Sequence, residues 1–245
     1  MRRLTNSFRD FTPAPATNSS TIQIPVESWF TFTRSEQDGH YRLFTISGSG
    51  GTIVEAAFAV ADIPVEIIDV DWDDLGWNST KLIQYNPLGQ VPTLILPDDR
   101  VMTESAAIIL HLADIRPQSG LAPDLDHADR PDFLRWLIFL ASAIYPTFTY
   151  GDVPNRWVSG DETAGKKLLD GTDAHRKTLY RYMEKHAGTP WFLGELFSCI
   201  DLYFLVMRDW RPGIEWFEQE CPRLNAIGLR SAAVSEVKEI AKKLC

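Results

Sequence analysis

The feature that most constrains the fold is a strand, a helix and a second strand that follow one another within about thirty residues. Tyr41–Ile46 is a short run of apolar and β-prone residues. Thr52–Asp62 then repeats apolar residues at helical spacing, and Pro64 ends that pattern. Val65–Val70 is again rich in β-branched and apolar residues. Because the helix carries the chain back across the sheet, such a unit has parallel strands.

The segments that follow complete a recognisable order of elements. The pattern predicts a short helix near Thr80–Tyr85, strands at Val91–Leu96 and Val101–Thr103, and an apolar helix at Ser105–Asp114. The resulting order, βαβ-α-ββα, is that of a thioredoxin-like domain. We therefore predict an α/β domain over residues 40–116.

The second half of the chain has a different pattern. Prolines, a glycine and several acids mark residues 117–128 as a linker, and beyond them no strand pattern is convincing. Residues 129–245 are therefore predicted to form an all-helical bundle domain. The helices are expected at Asp129–Tyr145, at Thr163–His186, after a capping box at Ser198–Asp201, and near Ile214–Gln219 and Ser231–Lys243.

The N-terminal extension, residues 1–39, differs from both halves. It is rich in Ser, Thr and Pro and lacks helical periodicity, which predicts a disordered or targeting-like segment. Arg2, Arg3 and Arg9 faintly resemble a transit peptide, but no apolar run follows them. A cytoplasmic location is the first expectation, and organelle targeting is the alternative.

Composition disfavours several classes of function. The formal net charge is −9, so nucleic-acid binding is disfavoured. The longest apolar run, Trp136–Tyr145, is too short to cross a bilayer, so no membrane association is expected. The three cysteines form no CxxC pair, which indicates reduced thiols, and no His/Cys/Asp spacing suits a metal site.

Three motifs carry a family resemblance. Asn86–Leu94 reads NPLGQVPTL, Thr103–Ile108 reads TESAAI, and Phe192–Glu195 leads into the Ser198–Asp201 cap. In this order and spacing they resemble the glutathione transferase family, over roughly Tyr41 to the C-terminus. The resemblance implies a thioredoxin-like glutathione-binding domain followed by a helical domain.

The resemblance also implies which residues hold glutathione. In the family the bond corresponding to Val91-Pro92 is cis, and the backbone of Val91 pairs with the cysteinyl part of the ligand. Glu104 would meet the γ-glutamyl ammonium, and Ser105 with the first amides of its helix would hold the γ-glutamyl carboxylate. Gln90 would reach the ligand backbone or its glycyl end. An ordinary helix start also explains Glu104 and Ser105.

The catalytic group of this family follows the first strand, where it stabilises the glutathione thiolate. A free thiol has a pKa of about 8.5, so it is mostly protonated at neutral pH. No cysteine precedes Cys199, which disfavours the branches that exchange disulfides. Among the hydroxyls, Ser49 lies nearest the helix start and is the first candidate, followed by Ser47 and then Thr45. Loop serines without a chemical role are the alternative.

The electrophile site is expected in the helical domain. The aromatic candidates, by resemblance of position, are Tyr145, Phe148, Tyr150 and Trp210. An aromatic helix face is also an ordinary core feature.

The predicted function is that of a serine-type glutathione transferase of the detoxifying kind. It would use glutathione as co-substrate against a small hydrophobic electrophile. The alternatives are a non-catalytic glutathione-binding scaffold, and a glutathione-dependent isomerase, etherase or reductase. A homodimer is expected through Ser105–Asp114 and Asp129–Tyr145, whose apolar faces exceed what one core needs.

Overall fold

The computed structural model describes residues 39–71 and 81–244. Of the extension predicted over residues 1–39, all but Gly39 lies outside the described residues. The described part belongs to one compact unit that begins at Gln37.

A mixed sheet organises the first half of this unit. Its strand order is β2-β1-β3-β4, with β1 parallel to β2 and β3 antiparallel to both β1 and β4. The thioredoxin-like prediction is therefore confirmed. The elements are β1 (Tyr41–Thr45), α1 (Gly50–Val60), β2 (Val65–Asp69), β3 (Thr93–Ile95), β4 (Val101–Thr103) and α2 (Ser105–Ile115).

The turn from β1 into α1 depends on a close approach. The helix begins at Gly50, two residues before the predicted start at Thr52. A β-carbon at Gly51 would overlap the side chain of Thr45 at the end of β1. A glycine at position 51 therefore lets the helix start directly behind the strand.

The short helix predicted near Thr80–Tyr85 is not regular. Residues 81–85 form a turn in which the amides of Tyr85 and Asn86 donate to the Leu82 carbonyl, and Thr80 lies outside the described residues. Pro87 follows at once and lacks an N–H, so the turn does not extend into a helix.

The second half is helical, as predicted. The helix expected to end at Tyr145 continues to Asp152 through a π-helical segment, Leu140–Ile144. Pro146 follows this segment and has no N–H to give to the carbonyl four residues earlier, which accounts for the local widening. The helices are α3 (Arg130–Phe139), α4 (Tyr145–Asp152), α5 (Asn155–Val158), α6 (Glu162–His186), α7 (Cys199–Met207), α8 (Ile214–Glu220), α9 (Pro222–Ala233) and α10 (Lys238–Ala241).

The helix predicted at Ser231–Lys243 is wrong in its extent. Residues Pro222–Ala233 form α9, and α10 is a separate short helix. Pro222 occupies the first turn of α9, where a missing N–H has no cost. Gly228 in its interior lies against the backbone of Phe204, where a β-carbon would overlap the Phe204 carbonyl. A glycine at position 228 therefore lets α9 pack closely on α7.

The core runs through both halves without a break. Every residue of α7 is buried, and α7 packs against α1 of the sheet half as well as against α9. The larger of two apolar clusters contains buried side chains from Leu43 to Ile240. A smaller one in the sheet half is made of Phe44, Ile46, Val70, Leu82 and Ile95. The domain boundaries at residues 40–116 and 129–245 therefore stay a prediction.

Over the described ranges, no helix is both long and apolar enough to cross a membrane.

Candidate functional site

A cleft of about 760 Å³ lies between the α/β half and the helical half. The start of α1, the loop before β3 and the start of α2 form one wall, and α4 with the segment after α7 forms the other. Its charged wall residues are Glu104, Asp152, Arg156 and Arg211. The apolar and aromatic ones are Leu88, Val91, Pro92, Ala106, Ala141, Tyr145, Pro146, Phe148, Val153 and Trp210.

The loop before β3 presents backbone groups to the cleft. The Val91-Pro92 bond is cis, as the resemblance implies. Neither the amide nor the carbonyl of Val91 has a hydrogen-bond partner among the described residues. The preceding carbonyl, of Gln90, is held by the side chains of Asn86 at 3.0 Å and Thr93 at 2.8 Å. The exposed Gln90 side chain belongs to the cleft wall. The Gln90 carbonyl thus fixes the loop to the protein, while the Val91 backbone groups remain available for pairing with a ligand.

Glu104 stands at the start of α2 with an unusual backbone. Its φ is +68° and its ψ is 106°, a conformation that L-residues rarely adopt. Its side chain is exposed and makes no hydrogen bond or ion pair with any described residue. Strained residues cost about 1–3 kcal/mol each and cluster at binding sites.

Ser105 follows as the first residue of α2. Its hydroxyl pairs with the Tyr203 hydroxyl at 3.0 Å, so it does not cap its own helix. The backbone amides of Ser105 and Ala106 have no acceptor within the described residues. The helix start thus keeps the donors that favour an anionic group.

The three candidate hydroxyls near α1 have different environments. Ser49 lines the cleft, is 7% exposed, and its oxygen accepts from the Gly51 amide at 3.0 Å as the N-cap of α1. Ser47 is exposed and donates to the Lys243 carbonyl at 3.2 Å. Thr45 is buried behind Gly51 and is not part of the cleft wall, and its hydroxyl has no hydrogen-bond partner among the described residues. Of these three, the structure brings Ser49 alone to the cleft.

Three of the four aromatic candidates form one wall. Tyr145 and Phe148 meet Trp210 edge to face, with centroid distances of 5.6 and 5.0 Å. The indole N–H of Trp210 donates to the Gly48 carbonyl at 2.7 Å, which fastens the loop between β1 and α1 to the helical half. Tyr150 is not brought to this cleft: it is 40% exposed and lines a separate surface groove.

Two arginines, Arg176 and Arg211, support the helical wall of the cleft. Neither was predicted from the sequence. The buried Arg176 lies 3.6 Å from the Phe148 ring centroid and donates to the Thr147 hydroxyl at 2.8 Å. Burial lowers the pKa of Arg176, and the neighbouring Asp173 opposes this. Arg211 of the wall binds Asp152 and Asp173. No local pattern joins groups so far apart in the chain.

Within residues 39–71 and 81–244, no group of three or more His, Cys, Asp and Glu side chains is placed to hold a metal ion. Cys199 and Cys221 are both buried, and burial raises the pKa of each thiol.

Comparison with known proteins agrees with the motifs. The family model for the glutathione S-transferase N-terminal domain matches residues 52–115. The chain is 37% identical over 204 residues to the uncharacterized GST-like protein YncG of Escherichia coli strain K12, covering 82% of this chain and 97% of that protein. It is 27% identical to the glutathione S-transferase GST-4.5 of Xanthomonas campestris, over 69% and 81% of the two chains. The chain therefore belongs to the glutathione S-transferase family.

Solved structures show the same architecture. A glutathione transferase homologue from Sulfitobacter, solved with bound glutathione, superposes with a TM-score of 0.72 at 22% identity, over 83% of this chain and 98% of that one. A sphingomonad glutathione S-transferase complexed with glutathione has a TM-score of 0.61 at 28% identity, over 82% and 97%. The sheet followed by a helical half is thus shared with these proteins.

Proposed function

We propose that this protein is a glutathione transferase that activates the glutathione thiol for attack on a small hydrophobic electrophile. One observation carries the proposal. The cleft brings the open backbone of Val91 and the unpaired carboxylate of Glu104 next to the free amides at the start of α2. The Val91 backbone can pair with an extended peptide, the Glu104 carboxylate can bind an ammonium group, and the free amides can bind a carboxylate. A γ-glutamyl peptide needs these three interactions.

Each end of glutathione has a counterpart in this wall. Glu104 binds the γ-glutamyl ammonium, and the amides of Ser105 and Ala106 bind the adjacent carboxylate. Val91 pairs with the cysteinyl part through its backbone, and Gln90 lies toward the glycyl end. Proteins of the same fold have been solved with bound glutathione, which supports glutathione as the ligand.

The orientation places the cysteinyl sulfur near the start of α1. There the positive end of the helix and the Ser49 hydroxyl favour a thiolate over a thiol. The thiol proton passes to solvent, and the sulfur electron pair attacks the electrophile held by the aromatic wall of Phe148 and Trp210. With an aryl halide, the carbon–halogen bond breaks and halide leaves to solvent with the bonding pair. In this account, residues 40–116 bind glutathione, residues 129–245 bind the electrophile, and the protein works in the cytoplasm.

A glutathione-binding protein without turnover is the second candidate. The Ser49 oxygen already accepts from the Gly51 amide as a helix cap, which would explain a serine here without catalysis. Isothermal calorimetry with glutathione tests binding, and a spectrophotometric assay with a generic aryl halide and with mixed disulfides tests turnover. Binding together with aryl transfer supports the first proposal. Binding with neither reaction supports the second, and absence of binding by folded protein at millimolar glutathione overturns both.

Ser49→Ala is expected to raise the pKa of bound glutathione by about one unit, which corresponds to about 1.4 kcal/mol. The serine hydroxyl keeps its proton free to donate even while its oxygen accepts from Gly51. The affinity for glutathione should change little, because the lost bond favours the thiolate rather than the bound ground state. The measurement is the ultraviolet thiolate absorbance of the bound ligand against pH.

Two further variants serve as controls for Ser49→Ala. Ser49→Thr keeps both the cap and the hydroxyl, so its titration should follow the wild type. Ser47→Ala removes an exposed hydroxyl outside the cleft and should also leave the titration unchanged. A shift in Ser47→Ala with none in Ser49→Ala would reassign the role. An unchanged titration in all of these variants would remove both serine hydroxyls from the thiolate site.

A homodimer is part of the same proposal. The exposed side of α3 carries Leu134 and Ile138, with 38% and 52% of their surface accessible, and Ile115 at the end of α2 is 37% accessible. Pairing of two copies through α2 and α3 would cover these apolar side chains. Light scattering at micromolar concentration should give about twice the 27.7 kDa chain mass. A monomer mass would contradict the pairing.

A further inference from the structure

The Tyr145 hydroxyl is a buried polar group that the fold leaves without a partner. Its oxygen is almost wholly inaccessible to solvent, and no described residue accepts from it or donates to it in hydrogen-bond geometry. A buried hydroxyl left unpaired costs about 1–3 kcal/mol. The Ser105 hydroxyl lies nearby, and its hydrogen bond is to the Tyr203 hydroxyl at 3.0 Å.

A π-helical segment and two aromatic neighbours position this hydroxyl. Tyr145 is the first residue of α4, and its amide closes the π-helical segment by donating to the Leu140 carbonyl. The rings of Tyr203 and Trp210 meet the Tyr145 ring nearly edge-on, at centroid distances of 6.1 and 5.6 Å. The phenol is therefore held in one position by its neighbours.

That position is directly over the start of α1. A β-carbon added at Gly50 would lie 2.7 Å from the Tyr145 oxygen, so any side chain at position 50 would displace the phenol. The Gly50 amide has no acceptor among the described residues, and the Ser49 hydroxyl stands beside it at the cleft. Three donors thus lie together at the start of α1: the Gly50 amide, the Ser49 hydroxyl and the Tyr145 hydroxyl.

We propose that the Tyr145 hydroxyl, supplied by the helical half, donates a hydrogen bond to the glutathione sulfur at the start of α1. The inference rests on the proposed function. In this role the tyrosine keeps its proton throughout. The thiol proton leaves to solvent, and the sulfur electron pair forms the bond to the electrophilic carbon. With an aryl halide, the carbon–halogen bond then breaks and the halide leaves with its electron pair. Tyr145 is then a catalytic residue in the thiolate site, rather than a part of the electrophile wall as its position in the sequence suggested.

The protonation of the tyrosine agrees with a donor role. Burial raises the pKa of Tyr145, and the nearby Ser105 hydroxyl opposes only part of that rise. The phenol therefore remains a donor throughout the range in which the glutathione thiol titrates. A neutral donor that stays neutral stabilises the thiolate without competing for its proton.

The inference explains a combination of residues that neither half explains alone. Gly50 is needed because the phenol rests on it, and the π-helical segment is needed because it aims Tyr145 at that glycine. The helical half therefore completes the thiolate site in addition to closing the cleft. A thiol-activating hydroxyl outside the loop after β1 also accounts for a loop in which the Ser49 oxygen is occupied by its cap.

The test is Tyr145→Phe in the full chain, with the thiolate absorbance of bound glutathione recorded against pH. We expect the bound-thiol pKa to rise by about one unit, which leaves about tenfold less thiolate below that pKa. The dissociation constant for glutathione should stay within about twofold, because the lost bond favours the thiolate alone. Transfer to an aryl halide should slow in proportion to the thiolate lost.

Tyr150→Phe is the matched control. It removes a phenol hydroxyl from the same helix at a residue that is 40% exposed and outside the cleft, so its titration should match the wild type. Gly50→Ala is the second variant, since it pushes the phenol away while keeping the hydroxyl, and it should move the titration in the same direction. The double variant Ser49→Ala, Tyr145→Phe should shift further than either single one.

The outcomes distinguish the inference from the function on which it rests. If Tyr145→Phe binds glutathione and titrates as the wild type does, while Ser49→Ala moves the titration, the inference is overturned and the proposed function stands. If the wild type binds no glutathione, both are overturned. If Tyr145→Phe lowers affinity tenfold without moving the titration, the tyrosine shapes the cleft and does not touch the sulfur, which also overturns the inference.

Discussion

Asp201→Ala is expected to lower the free energy of unfolding by about 4 kcal/mol, because two buried amides lose their acceptor at about 1–3 kcal/mol each and the capping box is lost. Asp201 is fully buried. Its carboxylate accepts from the Phe192 amide at 2.7 Å and from the Ser198 amide at 2.8 Å. It thus joins the loop before α7 to the helix at the centre of the core. Such a loss is a large share of a total stability of about 5–15 kcal/mol.

Urea denaturation measures this effect as a lower midpoint with an unchanged slope. Burial raises the pKa of Asp201 to about 7, although the amides of Phe192 and Ser198 lower it, so the comparison is made above that pH, where the carboxylate is ionised. Asp201→Asn is the control variant. It keeps the size and one accepting oxygen, so it should lose about half as much stability. An alanine variant with the wild-type urea midpoint would show that the capping box contributes little to stability.

Glu104→Ala is expected to weaken glutathione binding by about 10- to 150-fold, because a hydrogen bond to a charged group is worth about 1.5–3 kcal/mol. The carboxylate has no other partner among the described residues, so its loss should leave the rest of the fold intact. Titration calorimetry on the variant and the wild type gives the ratio of dissociation constants. Glu104→Gln keeps the shape and removes the charge, so its dissociation constant should lie between those of the wild type and Glu104→Ala.

Glu104→Gly separates binding from backbone strain. At φ +68° a glycine pays less conformational cost than a glutamate, so this variant should be at least as stable as the wild type and still bind weakly. Glu66→Gln removes an exposed carboxylate on β2, outside the cleft wall, and should bind glutathione normally. Equal affinity in Glu104→Ala and the wild type would remove Glu104 from the binding site.

The features that could be predicted from the sequence are those encoded by neighbouring residues. The capping box at Ser198 and Asp201 was predicted from a four-residue spacing, and both of its hydrogen bonds are present. The strand, helix and strand from Tyr41 onward follow local periodicity, and β1 and β2 are parallel as expected. The local pattern suffices there, because both cap and period act within one or two turns.

The features that the sequence did not show depend on contacts between distant segments. The pairing of Ser105 with Tyr203 joins residues 98 positions apart, and the hydrogen bond from Trp210 to Gly48 joins residues 162 positions apart. The helix end predicted at Tyr145 missed the π-helical segment, since an apolar run carries no mark of a wider turn. The role proposed for Tyr145 could not come from its spacing, because Gly50 on another element defines it.

Binding of glutathione in the cleft and a lowered pKa of its thiol can be tested together. The most direct measurement is the ultraviolet thiolate absorbance of glutathione bound to the wild-type protein, recorded against pH under saturating conditions established by calorimetry. We expect the bound-thiol pKa to lie at least about one unit below the ordinary value of about 8.5. A bound thiol that titrates at the ordinary value, or folded protein that does not bind glutathione at millimolar concentration, would contradict it.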